Sequence, residues 1–403
     1  MAESARAVFI CATTRTPFGR YGGALSAVRV DELAALPMRA LQARLASVYW
    51  AALDEVILGC GNQAGEDNRN VARMASLLSG LPTSVPALTV NRLCASGLEA
   101  AVQAARMIAL GDADLVMAGG VEGMSRAPYV LPKAGNAFSR EQRMEDSTLG
   151  WRMVNPAMRS AYGVDTMAET AENLAREHDI VRADQDGYAL RSQERTARAA
   201  LEGRLAVEIT PVTAAQAGRE ADVMVDEQPR ALGSLEKLAA LKPLPGLATI
   251  TAGNASGLND GACALLLASE AGMRRHGLQP LARVLGAAAA GVAPRTMGLG
   301  PVPAIGKLLA RLELSLDEFD RIEINEAFAA QVLACTRALG LPDDSERVNP
   351  HGGAIALGHP LAASGARLLG SAALGLARDG QRRALISLCV GVGQGLAMAI
   401  ERP

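Results

Sequence analysis

Aromatic residues are scarce in this sequence, with five Phe, five Tyr and two Trp among 403 residues. An excess of either charge is missing too, since 40 Lys and Arg face 42 Asp and Glu for a net charge of −2. No basic field therefore awaits nucleic acid or an anionic membrane, and a polyanionic ligand must be held by local cations. The six cysteines show no Cys-x-x-Cys spacing, and a chain this long needs no disulfide staples, so a reducing cytoplasm is the expected setting. The longest late uncharged stretch, Ala384 to Ile400, is broken by three glycines and a glutamine and is too short to span a bilayer. The opening Met-Ala-Glu-Ser-Ala-Arg carries an acid and leads into a strand-like run from Ala7 to Ala12, which is not the layout of a signal peptide.

What remains is 49% hydrophobic, 20% charged and rich in glycine, with 41 residues of that type. Such a composition belongs to a packed α/β protein with at least two cores or one large duplicated core, and excludes general disorder. Apolar β-rich runs alternate with amphipathic helical ones, and the alternation is written twice. The pattern Leu53-Asp54-Glu55-Val56-Ile57-Leu58-Gly59 returns at Phe319-Asp320-Arg321-Ile322-Glu323-Ile324-Asn325, a shift of 266 from position 54 to 320. Ala95-Ser96-Gly97 returns as Ala363-Ser364-Gly365, a shift of 268 from position 95 to 363. Two nearly equal offsets in one order predict a duplicated unit, with opening strands near Val8 and Val284. The halves span residues 1–122 plus 248–270, and 278–403. Residues 123–247 differ, with mixed-charge helical patterns at Thr166 to His178 and Ala183 to Glu202, and read as an inserted loop or cap subdomain.

Chemistry concentrates at four places. In Asn91-Arg92-Leu93-Cys94-Ala95-Ser96-Gly97, a strand at Ala87 to Val90 meets a helical pattern running from Leu98 to Gly111. Cys94 falls at the turn, where free N–H groups and the helix dipole favour a thiolate; a small core cysteine is the plainer alternative. The block from Asn349 to Pro360 holds His351 and His359, two of only four histidines, on glycine-rich backbone. A zinc pair is disfavoured there because no further ligand stands at metal spacing, so no metal is expected. Cys389-Val390-Gly391-Val392-Gly393-Gln394-Gly395 follows a buried strand, but another strand pattern comes next, which excludes a dinucleotide-binding turn. It predicts a hairpin turn presenting a second thiol and free N–H groups. Asn325-Glu326-Ala327-Phe328 ends a strand equivalent to that ending at Gly59, so loops of both halves point to one face; a mere helix cap is the plainer role for Asn325.

Together these blocks resemble the thiolase family over almost the whole chain, from Val8 to the C-terminus. Gln63 to Asn70, Gly150-Trp151-Arg152 and Tyr162-Gly163-Val164-Asp165 are most similar to the branch acting on 3-oxoadipyl-CoA in aromatic degradation. The resemblance implies a thiolase-like α/β fold of five layers, and an acetyl-CoA acyltransferase that uses coenzyme A as a substrate with no bound cofactor. It also implies catalytic roles for Cys94 as acyl-accepting nucleophile, Cys389 as acid and base, His359 with Asn325 at an enolate-stabilising site, and the Cys94 and Gly391 amides as oxyanion hole. By the same resemblance, Arg230 would meet the nucleotide end of CoA, Ser256 the pantetheine arm, and Met167, Ala327 and Phe328 the pantetheine and acyl slot. A homotetramer, a dimer of dimers with contacts from the insert, is likewise implied.

Three departures from the family pattern stand out: His351 in place of Asn, Ala362-Ala363 after His-Pro-Leu, and Thr166 where acetoacetyl-specific biosynthetic members carry His. The alternatives weighed are an acetoacetyl-CoA or broad-chain thiolase, a decarboxylating condensing enzyme, which Cys389 argues against, and a non-catalytic acyl-CoA binder.

Overall fold

The computed structural model describes residues 6–230 and 233–403, so the acid-bearing start lies, through residue 5, outside the described residues. Its main strands in chain order are β1 (Val8–Arg15), β2 (Glu55–Gly59), β3 (Ala87–Val90), β4 (Leu115–Gly123), β5 (Asn259–Ser269), β6 (Ala282–Gly291), β7 (Arg321–Ile324), β8 (Arg383–Val390) and β9 (Gln394–Glu401). The principal helices are α1 (Val30–Arg44), α2 (Val71–Leu78), α3 (Ser96–Leu110), α4 (Met167–Glu177), α5 (Arg182–Leu201), α6 (Pro301–Leu312), α7 (Ala329–Ala338) and α8 (Leu361–Asp379).

These strands form one ten-stranded sheet in the order β7-β8-β9-β6-β1-β5-β4-β2-β3, the tenth being the short Gly19–Arg20 strand on β5. Outward from the β6–β1 seam, each side repeats one plan. An opening strand is followed by an antiparallel partner and then another antiparallel strand, and next to that lies a parallel one. The seam itself is thin, with only Phe9 opposite Arg283 and Ile10 opposite Ala282.

Side-chain alternation along the strands sorts apolar residues into three cores. Ile57 points into a central core, while its neighbours Val56 and Leu58 point into an outer one. Leu385 faces the other outer core, and Ile386 faces the centre. The central core is filled by α3 and α8, with Leu98, Val102 and Ile108 facing Leu369, Ala372 and Leu376. Helices α1 and α2 cover one outer face, and α6 and α7 the other. Helix, sheet, helix, sheet, helix is thus the layer order, the five-layered α/β arrangement expected.

Leu93–Leu110 has the length and hydropathy of a membrane-crossing segment, yet it is 67% buried as the central helix. Small residues let the middle layer close tightly. A side chain on Gly97 would collide with the backbone carbonyl of Ala362, and so would one on Gly120. The insert does not simply cap the half that contains it. Ala171, Leu174 and Tyr188, on α4 and α5, pack into the outer core of the second half, whereas Val212, Ala217 and Val223 pack into that of the first.

Candidate active site

Strand β3 stops at Val90, and a single 3-10 turn over Leu93–Ala95 leads into α3, so Cys94 rides on the helix entrance. The turn is fixed by side chains: Asn91 Oδ1 accepts from the Leu93 N–H at 2.9 Å, and Ser96 Oγ accepts from the Arg92 N–H at 2.8 Å. Leu93 has a left-handed backbone, φ 44°, immediately before the cysteine. A non-glycine residue held there costs about 1 kcal/mol or more, a strain typical of functional loops. Cys94 alone among the six cysteines is partly exposed, and it lines a cavity.

The second half meets this turn through the β8–β9 hairpin, where Cys389 opposes Gly395 and Val390 opposes Gln394. Its tip, Gly391-Val392-Gly393, is again left-handed at Val392, φ 65°, and at Gly393, φ 88°. Arg92 clamps the two pieces together, donating to Gln394 Oε1 at 2.7 Å and to Glu99 Oε2 at 2.7 Å. Gly391 lines the same cavity as Cys94, and the Gly391 and Cys94 backbone amides both favour the Cys94 thiolate. Desolvation by the surrounding protein opposes these amides and pushes the thiol up to about 11, so the resting group is the thiol. Cys389 is held well above the ordinary thiol range, first by burial and then by negative charge on Cys94 and Cys335. The strand that ends in Cys389 and Val390 packs against the turn that carries Cys94, and ionisation of one thiol opposes ionisation of the other.

His359 is buried at the entrance of α8, its backbone N–H donating to Asn259 Oδ1 at 2.9 Å. Nδ1 lies 2.6 Å from Ser364 Oγ. The Asn325 amide nitrogen lies 3.5 Å from Nδ1 and 3.4 Å from Nε2, opposite neither lone pair squarely. Asn325 does not cap α7, whose N-cap is Phe328, and its buried Oδ1 has no hydrogen-bond partner among the described residues. Burial, then the Arg367 charge, lowers His359 to about 4, so its resting form is neutral imidazole.

Glu122, at the end of β4, joins the halves. Its carboxylate accepts from the N–H groups of Gly61 at 3.0 Å, Asn62 at 3.0 Å and Ala362 at 3.2 Å. With Cys60 and Asp67 it forms a buried trio, but its oxygens are occupied by those amides, and neither His351 nor His359 belongs to the trio. His351 itself accepts at Nδ1 from Arg321 Nη2 at 2.8 Å, at the start of β7, whereas Asn325 follows the end of that strand. His351 thus satisfies a buried arginine, and it does not line the cavity on Cys94.

A cavity of about 450 Å³ opens on Cys94 and is lined also by Met167, Leu361 and Gly391. A second, of about 220 Å³, is lined by Arg230, Lys237, Gln193 and Gly253. Ala327 and Phe328 are buried in the second half's outer core and line neither of these two cavities. They are tied to Ser256, whose N–H donates to the Ala327 carbonyl at 3.0 Å. Sequence reasoning missed Ser364 and Glu122. Glu122 had a signal, as the lone acid in the apolar run Leu115 to Gly123, and Ser364 was visible only as part of the repeated Ala-Ser-Gly.

Comparison with known proteins follows this geometry. The model described as "Thiolase, N-terminal domain" matches residues 8–271, and that described as "Thiolase, C-terminal domain" matches 278–402. The chain is 62% identical to a Pseudomonas aeruginosa beta-ketoadipyl-CoA thiolase, over 98% of this chain and 99% of that protein. It is 57% identical to an Escherichia coli 3-oxoadipyl-CoA/3-oxo-5,6-dehydrosuberyl-CoA thiolase, over 98% and 100%. Human mitochondrial 3-ketoacyl-CoA thiolase in complex with CoA superposes with a TM-score of 0.91 at 39% identity, covering 99% of this chain and 98% of that one.

Proposed function

The chain belongs to the thiolase family, and from that premise we propose that it cleaves 3-oxoadipyl-CoA, or a near relative, with CoA. The products are acetyl-CoA and an acyl-CoA shortened by two carbons. That Cys94 and Gly391, the first residue after the strand ending in Cys389 and Val390, line one cavity is the observation that carries this reading, because it brings the nucleophile, the hairpin of the second thiol and a backbone amide to one place.

Cys94 gives its proton to His359 and attacks the 3-oxo carbon. Each group alone resists charge in the buried site, but the transfer creates opposite charges whose attraction at low dielectric offsets part of that cost. The Cys94 and Gly391 amides hold the oxyanion. Its collapse breaks the bond between carbons 2 and 3 and sends the electron pair to carbon 2 as the acetyl-CoA enolate, which Cys389 protonates. Stabilisation of that enolate oxygen falls to His359, now a cation, with Asn325; the free Asn325 Oδ1 supports a water between them. CoA then gives its thiol proton to the Cys389 thiolate and attacks the acyl group on Cys94. Departing as thiolate, Cys94 takes its proton back from His359, and every group returns to its starting state.

Arg230 and Lys237, exposed cations on one cavity, suit the phosphates of CoA. Apolar exposure on the insert, at Tyr129, Leu131 and Phe138, supports the proposed homotetramer, and six unpaired cysteines suit a cytoplasmic setting. Thiolysis of 3-oxoadipyl-CoA against acetoacetyl-CoA tests the substrate. A clear preference for acetoacetyl-CoA replaces this reading with an acetyltransferase one.

A further inference from the structure

The cavity on Cys94 is walled mainly by apolar side chains, among them Leu93, Leu149, Trp151, Met167 and Val392, and one charged residue, Arg152, lines it. Arg152 lies on the insert, just beyond the Ser147-Thr148-Leu149 segment that also lines the cavity. The other arginines near the nucleophile are already engaged: Arg92 with Glu99 and Gln394, and Arg126 with Glu66. Neither of these lines the cavity.

Arg152 is held differently. Nη2 donates to Asn62 Oδ1 at 2.7 Å, and among the described residues no carboxylate lies within salt-bridge distance, 4.0 Å. Asn62 is itself anchored, its Nδ2 donating to the Ser147 carbonyl at 3.1 Å and its N–H to Glu122 at 3.0 Å. A guanidinium carries five donors in a planar fork, and one neutral bond orients it while leaving the rest for an anion. A cation aimed at an otherwise apolar wall is unpaired until a carboxylate arrives, and the bidentate pair is among the strongest side-chain contacts.

We propose that Arg152 is the specificity-determining residue that receives the distal carboxylate of an acyl chain carried on Cys94. The inference rests on the reading above, that the substrate is a 3-oxoacyl-CoA ending in a carboxylate, and adds how that end is read. CoA has its own cations, Arg230 and Lys237, on the other cavity, so Arg152 is not needed for its phosphates.

The test compares kcat/KM for 3-oxoadipyl-CoA with that for 3-oxohexanoyl-CoA, which has the same chain length without the carboxylate. In Arg152→Gln the ratio of the two falls about 100-fold, and in Arg152→Lys, which keeps a point charge, about tenfold. Should the Gln variant not fold, the Lys variant decides alone. A ratio unchanged within twofold overturns the inference, and so does an equal fall for both substrates with a raised KM for CoA, which would make Arg152 a CoA residue. A wild-type ratio near one instead sinks the substrate reading, whatever the variants do.

Discussion

Ser364 Oγ sits 2.6 Å from His359 Nδ1, inside the first turn of the helix that the histidine precedes. With the Nδ1 proton donated to Ser364, Nε2 is left as the acceptor, which is the tautomer a base toward Cys94 requires. Ser364→Ala should lower kcat about tenfold while leaving KM for the acyl-CoA nearly unchanged, since it frees the ring to adopt the wrong tautomer. Steady-state kinetics with KM and kcat resolved checks this, and an unaltered kcat refutes it.

Cys389 is needed for the carbon leaving group and not for loading an acyl group that needs no carbon–carbon cleavage. Cys389→Ser should therefore slow cleavage of 3-oxoacyl-CoA by about 10²–10⁴, the ordinary range for a positioned acid and base. Acylation of Cys94 by a simple acyl-CoA should persist in that variant. Pre-steady-state acylation measured beside thiolysis separates the two.

Gly97 and Gly120 leave room for the Ala362 carbonyl between α3 and β4. A methyl group at Gly97 meets backbone, which cannot swing aside, so Gly97→Ala should destabilise by about 2 kcal/mol or more and separate the Cys94 and His359 entrances. Chemical denaturation reads the first effect and residual thiolysis the second.

Burial lowers three histidines, His276, His351 and His359, and the last two, shifted most, weigh on the acid side of stability. His359 is lowered to about 4 and His351 to about 3, both first by burial, against an unfolded value near 6.5. Below that value the unfolded chain binds the extra protons, so stability is complete above pH 6.5 and is lost as pH falls toward 4. The slope is roughly 1 kcal/mol per pH unit for each, less for the half-buried His351 because solvent screens it. His351→Asn should flatten the fall in Tm between pH 6.5 and 4.5 while sparing thiolysis, since His351 contacts Arg321 and not the cavity. An unchanged slope would contradict the assignment.

Much of this was legible beforehand, for reasons particular residues make plain. Strand β3 ends where Val90 gives way to Asn91, and Gly111, φ 90°, closes α3 as its position in the pattern required. The repeat was readable because Val56 and Ile322 serve equivalent strands in the two outer cores. What the sequence hid was three-dimensional closure: that Arg92 spans to Gln394, 302 positions away, that Glu122 gathers amides from both halves, and that Arg152 lines the cavity. The Cys94 environment was half legible for a related reason. A turn's amides are local and visible in sequence, whereas desolvation comes from the packing of distant elements.

The most direct test of the central claim is intact-protein and peptide mass spectrometry after mixing the enzyme with 3-oxoadipyl-CoA in the absence of free CoA. One succinyl group should appear, mapped to the peptide bearing Cys94, and it should vanish when CoA is added. An adduct mapped to Cys389 or elsewhere, or full thiolysis by Cys94→Ala, would contradict it.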